Sequence, residues 1–187
     1  MDALTLKARL ASRNPNKLRE LSALLPHWEL QPLDSDAYPP EEGETYYDNA
    51  LAKARFGREL APPDEWVLGE DSGLEVDALG GRPGVLSARY APEGDQAVGK
   101  VLDELQGIDD RRARYVCELV AIDPERRERR GTGVLEGRIA LEPRGSEGFG
   151  YDPIFVPDGE ERTVAELGNE WKSRHSHRAR AARALLS

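Results

Sequence analysis

Apolar and polar residues alternate along Leu4–Ser12, "LTLKARLAS", as expected of a strand. The next stretch changes period. Leu18, Leu21 and Leu25 fall on one helical face, with Asn14 placed to cap the helix, Pro15 in its first turn and Pro26 ending it. This predicts a strand–loop–helix unit whose loop offers backbone N–H groups at a helix N-terminus, a setting that favours anions. "QPLDSDAYPPEEGE" has no period and reads as an exposed loop. "TYYDNALAKARFGRELA" predicts a second helix, with Thr45 and Asp48 in capping-box positions and Pro62-Pro63 as its stop.

The apolar run Trp66-Val67-Leu68 predicts the end of a buried strand. "LEVDAL" predicts another strand after a tight Ser-Gly turn, and "GGRPG" a sharp loop. "DQAVGKVLDELQG" predicts a helix weakened by Gly99. "RARYVCELVAID" and "RRGTGVLEGRIAL" alternate as antiparallel strands around a "PERRE" turn. "EPRGSEGFGYDPIFVPDG" is loop-rich, with one short strand at Ile154–Val156. "TVAELGNEW" opens on a second capping box, Thr163 to Glu166, and "SHRARAARALLS" predicts the last helix. The mixture predicts an α/β fold with a mixed sheet, in one domain over 1–187, because no linker separates independent parts.

Composition narrows the function. A net charge of −9 argues against a nucleic acid polymer as partner, since phosphate-backbone affinity comes from clustered Lys and Arg. No apolar run is long enough to span a bilayer, and the N-terminus lacks the pattern of a secretory signal. Cys117 is the single cysteine, so no internal disulfide forms and a cytoplasmic setting is expected. Only five of the 26 basic residues are lysines: Lys7, Lys17, Lys53, Lys100 and Lys172.

Three of those lysines lie in segments that could carry chemistry. Ser12, Arg13, Asn14, Pro15, Asn16 and Lys17 combine a helix N-terminus with a cation, which suits a phosphate; alone they also describe an ordinary capped helix. Glu41 precedes the second helix and Lys53 lies inside it; alone both read as solvated charges. Glu70 and Asp71 are adjacent carboxylates expected where the apolar strand ends, followed by Ser72. Such a pair suits Mg²⁺, which takes one or two carboxylates with water and substrate phosphates. Finally Phe149, Gly150, Tyr151 and Asp152 set aromatics among glycines, a way to offer a flat stacking face. Lys172, His177 and Arg178 add donors near a predicted helix N-terminus, where cations are disfavoured. Together these describe a nucleoside triphosphate site.

At this point the chain resembles the inosine triphosphate pyrophosphatase family. The resemblance runs from Ser12 to Arg178 through "SRNPNK", "EEGETYYDNALAKA", "EDSGLEVDALGGRPGVLSARYA", "GFGYDPIF" and "KSRHSHR", in family order. It implies two lobes around a long mixed sheet with flanking helices, an active site in the cleft between them, and a homodimer. It implies Mg²⁺-dependent hydrolysis of a purine nucleoside triphosphate such as ITP, dITP or XTP to the monophosphate and pyrophosphate. By matching position, Asp71 is the general base, Glu41 and Asp71 hold the metal, and Lys17 and Lys53 bind polyphosphate. Ser12 to Lys17 and Ser72 contact the nucleotide. Phe149 stacks on the base, with Asp152, Lys172, His177 and Arg178 around its edge. Two departures stand out: Arg13 replaces the family's glycine, and Glu70 replaces the first aspartate of Asp-Asp-Ser-Gly. A septum-formation-inhibitor-like nucleotide pyrophosphatase and a non-catalytic nucleotide-binding module are the competing readings.

Overall fold

The computed structural model describes residues 5–92 and 96–187. Leu4 of the first expected strand and Asp95 of the third expected helix lie outside them. The elements in chain order are β1 (Leu6–Leu10), α1 (Pro15–Leu24), β2 (Trp28–Pro32), α2 (Tyr46–Leu60), β3 (Trp66–Val76) and α3 (Gln96–Glu104). They continue with β4 (Arg112–Ile122), β5 (Glu128–Ile139), β6 (Phe155–Pro157), α4 (Val164–His175) and α5 (His177–Leu186). The strands form one six-stranded sheet in the order β2-β1-β3-β4-β5-β6. β1 is parallel to both β2 and β3, and β5 is antiparallel to β6, so the sheet is mixed as expected.

β2 was not expected. Gln31 and Pro32 lie in it, where the sequence reads as loop. Among the described residues its neighbour in the sheet is β1 alone, and an edge strand tolerates a proline because its missing N–H faces away from the ladder.

The larger correction concerns β3. It runs unbroken for 11 residues, and Glu70 and Asp71 lie in its middle, not at its end. No Ser-Gly turn interrupts it. Buried carboxylates can occupy a strand interior when cations neutralise them, and the partners described below do so. "LEVDAL" gives the last three residues of β3 and then a short 3-10 turn, Asp77–Leu79. Gly80, Gly81 and Gly84 carry the sharp loop with φ of 65°, 84° and 60°, values that cost a side chain bearing a Cβ.

The chain divides into two compact units. One comprises 1–71, 117–133 and 178–187; the other comprises 72–116 and 134–177. In the first, α1 with its C-cap Leu25, α5, β1, β3 and β4 contribute Leu10, Leu21, Leu25, Leu68, Cys117, Leu119 and Ala181 to one buried cluster. In the second, Leu74, Val76, Val101, Leu105, Tyr115, Tyr151, Ile154 and Phe155 form the core. No described helix is long and apolar enough to cross a membrane.

Within the first unit α2 lies hard against β3. A Cβ built on Gly69 would sit 2.0 Å from the Ala50 carbonyl oxygen and 2.6 Å from the Ala54 nitrogen. Backbone cannot yield as a side-chain tip can. Gly69→Ala is therefore expected to cost at least ~1–3 kcal/mol through overpacking. The denaturant midpoint checks this, and an unchanged midpoint would show that α2 can move off the strand.

Candidate active site

In the first unit a buried charge network surrounds the middle of β3. Asn49 and Lys53 stand one turn apart on α2 and face it. Asn49 Nδ2 donates to Asp71 Oδ2 at 3.0 Å, and Lys53 Nζ donates to Asp71 Oδ1 at 3.0 Å and to the Glu70 carbonyl at 3.1 Å. Glu41 pairs with the same ammonium. Asn49 also accepts from the Gly43 N–H at 2.8 Å, tying the loop that carries Glu41 to the helix that carries Lys53. The sequence reading gave Asn49 no role. Its spacing of four residues from Lys53 was the available signal, since residues so spaced share a helix face.

Asp71 is 4 % exposed. Burial pushes its carboxyl above the ordinary aspartate value, Lys53 and Lys17 pull it back in part, and Glu70 adds to the rise. Burial alone would lower the Lys53 ammonium, yet Asp71 and Glu41 outweigh it, and its pKa is raised. Lys53 is therefore a cation held between two carboxylates.

Glu70, fully buried, has other partners. Lys17 Nζ lies 2.6 Å from Oε2, and Arg178 donates to Oε1 through Nε at 3.2 Å and Nη2 at 3.0 Å. The Cys117 thiol lies 3.5 Å from the same oxygen. Arg178 pairs in addition with Glu20. Burial would raise the Glu70 carboxyl, but Lys17, Arg178 and Lys53 together hold it well below the usual carboxylate range. The two adjacent carboxylates thus form ion pairs with different cations, Asp71 with Lys53 and Glu70 with Lys17 and Arg178, which offset the repulsion between them without abolishing it.

The loop before α1 differs from expectation in one respect. Asn14 Oδ1 accepts from the N–H groups of Asn16 at 2.9 Å and Lys17 at 3.4 Å, so two donors expected to face an anion already have a partner. Ser12 Oγ accepts from the Asn14 N–H at 3.2 Å. Pro15 is the first residue of α1. The Arg13 guanidinium donates to the Asp36 carbonyl and lies 5.1 Å from the centre of the Tyr38 ring, so this cation is already engaged.

The second unit holds a separate polar cluster. Asp152 Oδ2 accepts from Lys172 Nζ at 2.7 Å and from the Phe149 N–H at 2.8 Å, and Oδ1 accepts from the Tyr115 hydroxyl at 3.3 Å. Lys172 Nζ lies 4.6 Å from the centre of the Phe149 ring. His177 stacks on Tyr115, with ring centres 4.5 Å apart and planes 12° off parallel. Gly148, at φ 80°, permits the turn, since a Cβ there would lie 2.1 Å from Asp152 Oδ2. Phe149, Asp152, Lys172 and His177 are thus brought together, with Tyr115 as a member the sequence reading missed.

Tyr151 is not a stacking face. It is buried in the core, and its hydroxyl donates to the Ser87 carbonyl at 2.9 Å. Gly150 beside it is exposed at φ 63°. Ser72 lies in β3, half-buried, directly after Asp71. Arg178, expected beside Asp152, belongs to the first unit, where Glu70 and Glu20 hold its guanidinium.

The model of the Ham1 family matches residues 8–187, a span that includes every residue of both clusters. The chain belongs to the Ham1 family. Among its relatives, a dITP/XTP pyrophosphatase of Gloeobacter violaceus is 44% identical over 180 residues, covering 95% of this chain and 91% of that one. A protein of the same name from Bacillus subtilis is 41% identical, covering 96% and 94%. Among solved structures, the Ham1 protein of Staphylococcus aureus superposes with a TM-score of 0.83 at 34% identity, covering 95% of this chain and 94% of that one. The dITP/XTP pyrophosphatase of Mycobacterium abscessus gives 0.75 at 42% identity, covering 96% and 97%. The sheet and flanking helices described above are therefore the Ham1 fold.

Proposed function

We propose that the chain hydrolyses purine nucleoside triphosphates of the ITP, dITP and XTP type to the monophosphate and pyrophosphate. The observation that carries the reading is the buried Asp71, held by Asn49 and Lys53, with Glu41 on the same ammonium. The names of the relatives support the choice of substrate.

Lys17 and Lys53 bind the polyphosphate, with Ser12 to Asn16 and Ser72 contacting the nucleotide. Asp71 accepts a proton from the attacking water as its oxygen bonds to the α-phosphorus. The α–β bridging bond breaks, and pyrophosphate leaves with the electron pair. Two cations beside that departing charge lower the barrier. Phe149 stacks on the base, and Asp152, Lys172 and His177 face its edge. Arg178 joins that set by resemblance alone.

The two carboxylates fit a hard divalent cation, because both already converge on one cationic atom, Lys53 Nζ. Glu41 and Asp71 would hold Mg²⁺, which supplies positive charge to the polyphosphate and acidifies coordinated water. The resemblance also supports a homodimer acting on the cytoplasmic nucleotide pool.

A turnover panel of ITP, dITP, XTP, ATP, GTP and pyrimidine triphosphates, with pyrophosphate and phosphate measured separately, tests the reading. The expected result is pyrophosphate release, fastest with ITP, dITP and XTP, lost on exhaustive chelation and restored by Mg²⁺. Turnover confined to pyrimidine nucleotides would favour the septum-formation-inhibitor-like enzymes, and binding without turnover would leave a binding module. Full activity after chelation would remove the metal.

A further inference from the structure

α4 is broken in its middle. Gly168 has φ 87° and ψ 174°, a conformation open essentially only to glycine. The helix restarts at Asn169, and that restart has its own cap. Glu147 Oε2 accepts from the Asn169 backbone N–H at 2.8 Å and from Asn169 Nδ2 at 2.9 Å. A Cβ on Gly168 would stand 3.1 Å and 3.2 Å from the two Glu147 oxygens, so the carboxylate lies in the space the glycine leaves.

The position of Glu147 gives this cap a consequence. Two residues on is Phe149, and Asp152 follows on the same loop. Lys172, which pairs with Asp152 and lies over Phe149, is on the restarted part of α4. Further bonds run the loop along the first part of the helix: Thr163 Oγ1 to the Arg144 carbonyl at 2.8 Å, the Glu147 N–H to the Ala165 carbonyl at 3.3 Å, and the Ala165 N–H to the Asp152 carbonyl at 3.1 Å. Beyond the break, the loop is tied to the helix by the Asp152–Lys172 pair and by the Glu147 carboxylate, which bonds the restart itself.

We propose that Glu147 is a positioning residue for base recognition: by capping the restart of α4 at Asn169 it sets Lys172 against Phe149 and Asp152. The inference rests on the assignment of Phe149, Asp152 and Lys172 to the base. Glu147 touches neither substrate nor reacting atoms. It acts through the register between a loop and a half-helix. A cap lost here changes how the base is held and leaves the Lys53–Asp71 chemistry alone, so discrimination moves more than the chemical step.

The test measures kcat and KM for ITP and ATP on Glu147→Ala, Glu147→Gln, Gly168→Ala and Asp152→Ala, with thermal midpoints for each. Glu147→Ala is expected to lower the ITP-to-ATP ratio of kcat/KM by ~3–10-fold, the scale of one ordinary net hydrogen bond, mainly through KM for ITP. Glu147→Gln keeps an acceptor oxygen and is expected to restore most of the ratio. Gly168→Ala, forced out of its φ and against the carboxylate, is expected to resemble Glu147→Ala. A purely structural role would lower the midpoint and leave the ratio alone. If Asp152→Ala shifts the ratio and Glu147→Ala does not, or if Gln does no better than Ala, the inference is overturned and the base assignment stands. If Asp152→Ala also leaves the ratio unchanged, the base assignment fails and this inference falls with it.

Discussion

Asp71→Asn is expected to lower kcat for ITP by ~10²–10⁴-fold, the usual cost of removing a general base. A lost carboxylate ligand to the metal would add to that. The change is small in volume but not in hydrogen bonding. Asp71 presents one oxygen to the Asn49 amide and the other to the Lys53 ammonium. Both neighbours are donors, and whichever way the new amide turns, its NH₂ meets one of them. The variant therefore loses an interaction as well as its capacity to take a proton. Lys17 and Lys53 remain, so nucleotide binding is expected to persist. Single-turnover kinetics beside an equilibrium binding measurement separate the two effects. Turnover within a few-fold of the parent would place the base elsewhere.

Arg178→Ala is expected to destabilise the fold by ~3–5 kcal/mol, the cost of breaking a buried ion pair from one side. Arg178 is 2 % exposed and contributes three donor atoms to two carboxylates. Removing it leaves Glu70, at 0 % exposure, with Lys17 as its principal cation and Glu20 without this partner. Arg178→Lys is expected to recover little, because an ammonium lacks the planar fork that reaches both carboxylates. The denaturant midpoint at unchanged slope reads the loss. The predicted cost exceeds the ~1–3 kcal/mol that one base contact contributes to specificity. Any change in the ITP-to-ATP ratio for this variant is therefore interpretable only after correction for the folded fraction. A midpoint shift worth less than about 1 kcal/mol would show that Glu70 has other compensation on losing this arginine.

The sequence by itself determined most of the elements and named most members of the two polar clusters, though not Asn49 or Tyr115. Helix ends were legible because capping is local chemistry. Asn14 bonds the N–H groups two and three residues ahead, and Thr45–Asp48 and Thr163–Glu166 each form the expected reciprocal pair. β5 was legible because its exposure alternates residue by residue. β3 was not read as one strand, because it is buried on both faces and carries two carboxylates in its interior. No pattern within "GEDSG" announces cations that arrive from α1, α2 and α5. Residues 53 and 178 reach this strand from 17 and 108 positions away, distances over which sequence spacing carries no information about contact. The same limit hid Asn49 as the second partner of Asp71, and Glu147 as the cap of a helix that restarts 22 residues later. It also separated neighbours. His177 and Arg178 are adjacent in "SHR", yet one stacks on Tyr115 and the other clasps Glu70, because successive helical residues point about 100° apart. Residue types and local caps were properties of the chain. Which cation neutralises which buried carboxylate was decided only by tertiary packing, where desolvation makes each such pairing obligatory.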